Sequence, residues 1–158
     1  MTGQGLAFDA DGRLLIDVRG PRFGAAITSI VLGTALVVQG EVGIGLVAWQ
    51  WLAFAISTVA GLRYSPYGNL FRWVKRRFDL GPAPATEPEA PPRFAQACGL
   101  VVASVGLLGL ALGAATLGWA AVAVVLALSL LLATTGICVG CELHVLGTRL
   151  LSSARGRA

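Results

Sequence analysis

The sequence predicts an all-α integral membrane protein: a bundle of four transmembrane helices in two helical hairpins, plus an amphipathic helix in the cytoplasmic interface. The first supporting observation is composition, because 56% of the 158 residues are apolar and only 13% are charged. A soluble domain of this size leaves too much surface in water to hide that much apolar material. The second is the presence of four long apolar segments. Together they exclude a soluble enzyme, and they exclude a nucleic-acid-binding protein despite the net charge of +4.

Each apolar segment approaches the ~20 residues that a helix needs to cross the ~30 Å hydrocarbon layer. The third and fourth form one continuous apolar run, which we divide at the glycine-flanked turn 113–118 because a single helix of that length exceeds any bilayer. Trp119 follows this turn as an interfacial anchor. The predicted spans are Gly24–Val38, Val42–Leu62, Ala95–Leu112 and Trp119–Cys141, grouped into hairpins over residues 21–62 and 93–147.

The basic residues predict the orientation of the spans. All 12 lie before the first span, between the second and third, or after the fourth, and the other two loops contain none. By the positive-inside rule, both termini and the central loop are cytoplasmic. The basic surface then faces the anionic headgroups of the lipid bilayer, which is the first predicted partner.

Residues 1–20 and 148–158 are the predicted cytoplasmic ends of the chain, an N-terminal arm or hairpin and a C-terminal tail. In the N-terminal segment, short apolar stretches flank the turn-forming residues Asp9–Gly12. This pattern predicts a small β-hairpin. An extended arm that lies on the lipid headgroups is the alternative.

The central loop contains a predicted helix and a predicted linker. Ser65 followed by Pro66 is a favourable N-cap and first helical position. The residues that follow place apolar side chains on one face and basic side chains on the other. This pattern predicts an amphipathic helix over residues 63–80, lying in the cytoplasmic interface. Docking of a partner protein is the alternative for this helix. Residues 81–92 hold five of the seven prolines, which favours an extended, mobile linker.

Two further patterns concern the spans. Gln50 lies near the middle of the second span, where an amide is costly unless it faces another helix. We predict that its amide forms an interhelical hydrogen bond, and the alternative is that it contacts a substrate. Both hairpins also begin with similar residues, which indicates either a parallel internal repeat or a chance match. The two stretches are Pro21-Arg22-Phe23-Gly24-Ala25 and Pro92-Arg93-Phe94-Ala95-Gln96.

One constellation carries chemistry. Cys138 and Cys141 form a C-x-x-C motif at the predicted cytoplasmic end of the fourth span, and the sole histidine, His144, follows. Cytosolic thiols are kept reduced, so a redox or metal-binding role is favoured over a permanent structural disulfide. Residues three apart on a helix lie about 5–6 Å apart at their side-chain bases, close enough for a disulfide. For Cys98, on the third span, two roles stay open: resolving a mixed disulfide, or packing in the core.

Reactivity requires a thiolate, and the C-terminal end of a helix works against one because it carries partial negative charge. A nearby cation has to offset this charge. Two straight antiparallel helices place Arg93 level with Cys138, so Arg93 is the candidate cation, and His144 is the candidate base or proton donor. A zinc site that includes Cys98 is an alternative by ligand type, but ligands at successive three-residue steps on one helix converge poorly. We predict neither a metal nor a cofactor.

Four stretches of the sequence carry a family likeness: Ser65-Pro-Tyr-Gly-Asn-Leu-Phe71, Arg93-Phe-Ala-Gln96, Gly118-Trp119 and Gly136-Ile-Cys-Val-Gly-Cys141. In this order and spacing they resemble domain-of-unknown-function family 4395, a family of small four-helix bacterial membrane proteins. The likeness covers roughly residues 17–147. It implies a bacterial plasma-membrane location and a C-x-G-C motif as the functional centre, and it implies no particular reaction.

The leading hypothesis is a membrane-embedded thiol/disulfide or sulfur-relay protein, in which Cys138 and Cys141 cycle between dithiol and disulfide or carry a persulfide. The predicted partner is a soluble thioredoxin- or rhodanese-like protein at the cytoplasmic face. The first alternative is permeation of a small sulfur species, which requires a homo-oligomer because one four-helix protomer has little room for an aqueous pathway. The second alternative is a non-enzymatic scaffold or anchor for another membrane protein. The sequence leaves open whether the protein is an enzyme.

Overall fold

The computed structural model describes residues 7–10, 12 and 14–155, and this part of the chain forms six helices and three short strands. The helices are α1 (Arg19–Val38), α2 (Gly40–Val59), α3 (Pro66–Arg77), α4 (Ala90–Ala111), α5 (Ala115–Thr135) and α6 (Val139–Arg155). The strands are β1 (Ala7–Phe8), β2 (Leu14–Asp17) and β3 (Thr86–Pro88). The predicted N-terminal arm and C-terminal tail are described only in part, because residues 1–6, 11, 13 and 156–158 lie outside the described residues.

Four helices form the membrane-spanning bundle. α1, α2, α4 and α5 are 20 to 22 residues long and apolar enough to cross a bilayer. α1 packs on α2 and α5, and α4 packs on the same two helices. Buried side chains fill the centre, and large apolar side chains along the outer surface are exposed. The protein is therefore a multi-pass membrane protein with an all-α bundle of four spans, as predicted, and its apolar outer surface faces lipid.

The two ends of the bundle differ in charge. Because successive spans alternate in direction, the first turns of α1 and α4 meet the last turns of α2 and α5 at one end. The basic residues that the structure describes lie at this end or in the segments that continue from it, and the opposite end carries only the short turns around Gln39 and Gly113. We call the end formed by the first turns of α1 and α4 and the last turns of α2 and α5 the basic end.

Gln50 provides a polar contact inside the bundle. Its side chain is fully buried, with 0% of the residue exposed. Its Oε1 accepts a 2.8 Å hydrogen bond from the hydroxyl of Tyr67 in α3, while its Nε2 has no partner in the described part of the chain. The predicted interhelical hydrogen bond is confirmed, and it joins α2 to α3.

Replacing Tyr67 with phenylalanine is expected to destabilise the protein by about 1–3 kcal/mol, because the buried amide of Gln50 then lacks its one partner. Thermal unfolding in detergent micelles measures the change. Tyr64→Phe is the matched control, since Tyr64 is 57% exposed and the loss of a surface hydroxyl has little effect. Equal unfolding temperatures for the two variants would show that the bond to Gln50 does not contribute to stability.

α3 begins as the sequence indicates. The Ser65 hydroxyl accepts a hydrogen bond from the Gly68 N–H at 3.4 Å, and Pro66 occupies the first helical position. Phe71 is buried, and its ring centroid lies 5.5 Å from that of Phe23 in α1. α3 is therefore an amphipathic helix whose apolar face packs on the basic end of the bundle.

β2 is the centre of a three-stranded antiparallel sheet. β1 pairs with one edge of β2, and the predicted turn at residues 9–12 lies between the two strands, so the N-terminal segment forms a hairpin. β3 pairs with the other edge and places Glu87 opposite Ile16. The proline-rich segment 81–92 is thus extended, as expected, but it is not a free linker. Its middle belongs to the sheet, and residues 90–92 are the first turn of α4.

Asp17, at the end of β2, ties the sheet to two helices. Its carboxylate accepts hydrogen bonds from Arg19 of α1 at 2.8 Å and from Lys75 of α3 at 2.9 Å. Partial burial acts to raise the pKa of Asp17, but these hydrogen bonds together outweigh it and hold the pKa at about 2. The charge of Asp17 is therefore already balanced within the protein.

Candidate functional site

The cysteine motif lies at a break between two helices and not inside a span. α5 ends at Thr135, and Gly136 follows in the left-handed conformation with a φ of 80°. The Ile137 N–H donates a 3.1 Å hydrogen bond to the Thr135 hydroxyl, and α6 begins at Val139. The prediction that the fourth span continues to Cys141 is therefore wrong, because a left-handed glycine ends the helix before the motif.

Cys138 caps the N-terminus of α6. Its carbonyl accepts a hydrogen bond from the Glu142 N–H at 3.0 Å, and its Sγ accepts one from the Cys141 N–H at 3.3 Å. The sulfurs of Cys138 and Cys141 are in disulfide contact, with their Cα atoms 5.2 Å apart. The predicted placement of the motif at a helix C-terminus is therefore also wrong. The motif lies at a helix N-terminus, whose partial positive charge stabilises an anion.

Gly140, between the two cysteines, lets α6 approach α4 closely. A Cβ at this position would lie 2.7 Å from both the Cα and the Cβ of Ala95, which is closer than real Cβ atoms come. The first turn of α6 thus packs directly on the backbone of α4. This contact explains the glycine of the C-x-G-C motif, because any side chain there would push the two helices apart.

The two arginines of the repeated Pro-Arg-Phe sequence make equivalent contacts. Arg22, near the start of α1, donates to the carbonyls of Ala133 and Thr134 in the last turn of α5, at 3.3 Å each. Arg93, near the start of α4, donates to two carbonyls in the last turn of α2, at 2.8 and 3.1 Å. Each arginine therefore satisfies the final carbonyls of a helix in the other hairpin.

The structure brings Arg22 beside the start of the cysteine loop. Its guanidinium lies 3.7 Å from the Cβ position of Gly136, two residues before Cys138. Arg93 additionally forms a 3.8 Å ion pair with Glu89, and its polar partners among the described residues are all in α2 or at Glu89. Sequence reasoning missed Arg22. The signal that pointed to it is the Pro-Arg-Phe repeat, which gives both arginines the same position in their hairpins.

His144 lies on α6, three residues after Cys141. Its ring centroid is 5.3 Å from that of Phe94 in α4, with the two planes tilted by 46°. Phe94 and Phe23 occupy matching positions in the repeat, and Phe23 contacts Phe71 of α3 in the same way. Each hairpin therefore contacts, through one phenylalanine, the shorter helix that follows it.

A family model described as "Domain of unknown function (DUF4395)" matches residues 16–149, from β2 into α6. The chain belongs to the DUF4395 family. The match includes both hairpins, α3 and the cysteine motif, and it confirms the resemblance noted in the sequence. No curated protein and no solved structure matches the DUF4395 protein.

The DUF4395 protein has a cavity of about 120 Å³ beside the motif. Cys138 and Cys98 both line it, together with Phe54 from α2. Cys98 is a free, half-buried thiol. The structure therefore places the third cysteine on the wall of the cavity that Cys138 reaches. Within the described ranges, no three histidine, cysteine, aspartate or glutamate side chains are grouped so that they could hold a metal ion.

Proposed function

We propose that the DUF4395 protein carries out thiol–disulfide exchange through Cys138 and Cys141. The position of the pair supports the proposal: the sulfurs are in disulfide contact at the first turn of α6, and Cys138 accepts a hydrogen bond from a helix N–H. A helix N-terminus stabilises a thiolate, which is the form that attacks a disulfide. A permanent bridge between residues three apart closes a very short loop and therefore stabilises a fold little.

In the proposed cycle, the Cys138 thiolate attacks one sulfur of an external disulfide, and the other sulfur leaves as a thiolate with the bonding electron pair. Cys141 then loses its proton and attacks the Cys138 sulfur of the mixed disulfide, which releases the second external thiolate. The external disulfide gains two electrons and the protein pair loses two. A reduced thioredoxin-like dithiol closes the cycle by the reverse exchange, in which it becomes a disulfide and returns two electrons to the pair. In the sulfur-relay form of the hypothesis, the Cys138 thiolate attacks the outer sulfur of a persulfide on a rhodanese-like partner, and the partner's cysteine leaves as a thiolate with the bonding electron pair.

The other site residues have supporting roles in this proposal. His144, one turn further along α6 than Cys141, accepts the Cys141 proton. Arg22 adds positive charge at the base of the loop that carries Cys138. Arg93 acts at a distance, because it holds α4 against α2 and thereby positions the surface on which α6 packs.

We propose the cytoplasmic side of a bacterial plasma membrane as the location of this chemistry. The support is the concentration of arginine and lysine at the same end of the bundle as the motif, together with the positive-inside rule. A soluble thioredoxin-like or rhodanese-like protein is the proposed protein partner for exchange.

Counting reactive thiols tests the proposal. With Cys98 replaced by serine, only the motif cysteines remain. A maleimide is expected to modify neither of them in the oxidised protein and both after reduction. Between variants that retain a single cysteine, we expect Cys138 to be alkylated about tenfold faster than Cys141, because the Cys138 sulfur occupies the N-cap.

A variant that retains only Cys98 is the control, and its labelling is expected to be the same before and after reduction. If both motif cysteines of the oxidised protein react as readily as those of the reduced protein, the pair does not form a disulfide and the proposal fails. Equal alkylation rates for Cys138 and Cys141 would contradict the assignment of Cys138 as the nucleophile.

A further inference from the structure

A second, larger cavity of about 700 Å³ lies at the basic end of the bundle. It is bounded by β2 of the sheet, the first turns of α1, and α3. Leu62 and Phe71 contribute to its apolar wall, and Arg72, Lys75 and Arg76 of α3 form its basic wall. Its volume falls in the range of about 300–1,000 Å³ that is typical of sites for small organic ligands.

Two carboxylates and three cationic side chains line this cavity. One carboxylate, Asp17, is paired with Lys75 at 2.9 Å and also with Arg19 at 2.8 Å. The other is Asp79, two residues after the end of α3. The pairing of Lys75 leaves Arg72 and Arg76 as the cations without a carboxylate partner among the described residues. Nη2 of Arg72 donates hydrogen bonds to the Arg63 carbonyl and to the Asn69 side-chain oxygen, so its remaining N–H groups are the ones available to a ligand.

Neither Arg72 nor Arg76 has a carboxylate within ion-pair distance in the part of the chain that the structure describes. Burial, followed by the like charges of Arg76 and Arg63, lowers the pKa of Arg72. Asp17 neutralises Lys75, and Asp79 also lines the cavity, but the positive charge of Arg72 and Arg76 has no carboxylate in ion-pair contact among the described residues. An anionic ligand would balance it.

The larger cavity adjoins the cavity beside the cysteine motif. Pro21 and Gln96 line both. The basic wall of α3 lines one of these two adjoining cavities, and Cys138 and Cys98 line the other. A ligand in the larger cavity therefore occupies the space next to the cavity that the proposed nucleophile lines.

We propose that the larger cavity binds a small anionic disulfide, whose organic groups carry carboxylates, and presents it to Cys138. The inference rests on the proposed function and names the substrate class of the same site. Arg72 and Arg76 bind the carboxylates, and the apolar wall contacts the organic part. The Cys138–substrate S–S bond forms as the substrate S–S bond breaks, and half of the substrate leaves as a thiolate. Cys141 then displaces the other half as a second thiolate, which leaves the Cys138–Cys141 disulfide.

Two aromatic disulfides of different charge test the inference. Dithiobis(nitrobenzoate) carries two carboxylates, whereas dithiodipyridine is neutral, and both release a coloured product. The reduced full-length chain, with Cys98 replaced by serine, is mixed with each reagent in detergent. We expect Arg76→Gln to lower the rate constant for the anionic reagent about tenfold and to leave the rate constant for the neutral one unchanged. The double variant Arg72→Gln/Arg76→Gln is expected to show a larger loss.

Arg77→Gln is the matched control. Arg77 lies on the same helix and is exposed, it does not line the cavity, and its substitution removes the same charge. Its rate constants with both reagents are expected to match those of the unsubstituted protein. The neutral reagent reports in every variant whether the cysteine site is intact, and Arg76 makes no hydrogen bond or ion pair with any described residue that its loss would break.

The outcomes separate the inference from the function on which it rests. If Arg77→Gln slows the anionic reagent as much as Arg76→Gln does, the effect belongs to general surface charge and the inference is overturned. If no arginine variant changes the rate constant for the anionic reagent, the inference is also overturned, but the proposed exchange activity stands. If the unsubstituted protein reacts with neither reagent, the proposed function fails, and the substrate assignment fails with it.

Discussion

Gly140→Ala is expected to lower the stability of the protein by about 1–3 kcal/mol and to slow the alkylation of reduced Cys138. The new methyl group would lie 2.7 Å from the Cα and Cβ of Ala95, atoms that cannot rotate out of the way. The strain is relieved only if the first turn of α6 moves off α4. The capping geometry of Cys138 belongs to that turn, so stability and thiol reactivity fall together.

Gly147→Ala is the matched control for this substitution. Gly147 lies in the same helix, and a Cβ there would meet nothing within 4 Å. Alanine in an open helical position is expected to be neutral or stabilising by about 0.5–1 kcal/mol, because glycine loses more backbone entropy on folding. Thermal unfolding in detergent and the rate of iodoacetamide modification measure the two effects. A Gly140→Ala protein as stable and as reactive as Gly147→Ala would contradict the close contact between α6 and α4.

Gly43→Ala is expected to destabilise the protein by a similar amount, about 1–3 kcal/mol, without changing the reactivity of the cysteines. A Cβ at Gly43 would lie 2.8 Å from the carbonyl oxygen of Ala35 and 3.0 Å from Cη2 of Trp119. This contact closes the α1–α2 hairpin at the end of the bundle opposite the motif. The substitution therefore separates a general loss of stability from a specific change at the site.

Gly45→Ala, two residues along the same helix, is the control, because a Cβ at Gly45 meets nothing within 4 Å. The same two measurements apply, unfolding temperature and alkylation rate of reduced Cys138. If Gly43→Ala slows alkylation as strongly as Gly140→Ala does, then thiol reactivity follows overall stability. That result would remove the local interpretation of Gly140.

The features that the sequence predicted well are those that depend on local pattern. Apolar length identifies the four spans, and Ser65 with Pro66 identifies the start of α3. The cost of a lone amide in lipid predicted a partner for Gln50, although not that the partner is Tyr67. These signals are visible in a window of about 20 residues, which is the length of one span.

Most of the features that were missed depend on tertiary contacts, and one, the end of α5, depends on a local glycine cap inside an apolar run. Gly136 lies in a long apolar run, and composition does not reveal that it adopts the left-handed conformation and ends α5. The carbonyls that Arg22 and Arg93 reach are fixed by which helices are neighbours. The pairing of Thr86–Pro88 with β2 likewise requires the sheet to exist first. The motif residues were therefore identified correctly as a pair, but their position relative to a helix end was reversed.

The exchange of arginines between the hairpins has a consequence for biogenesis. The last turn of α5 is completed by Arg22, and the last turn of α2 is completed by Arg93, so neither half of the molecule finishes its own returning helix. The cysteine loop starts where α5 stops, so the carbonyls that precede it reach Arg22 only when the first hairpin packs on the second. The first hairpin without the second would likewise leave the last carbonyls of α2 without the guanidinium of Arg93.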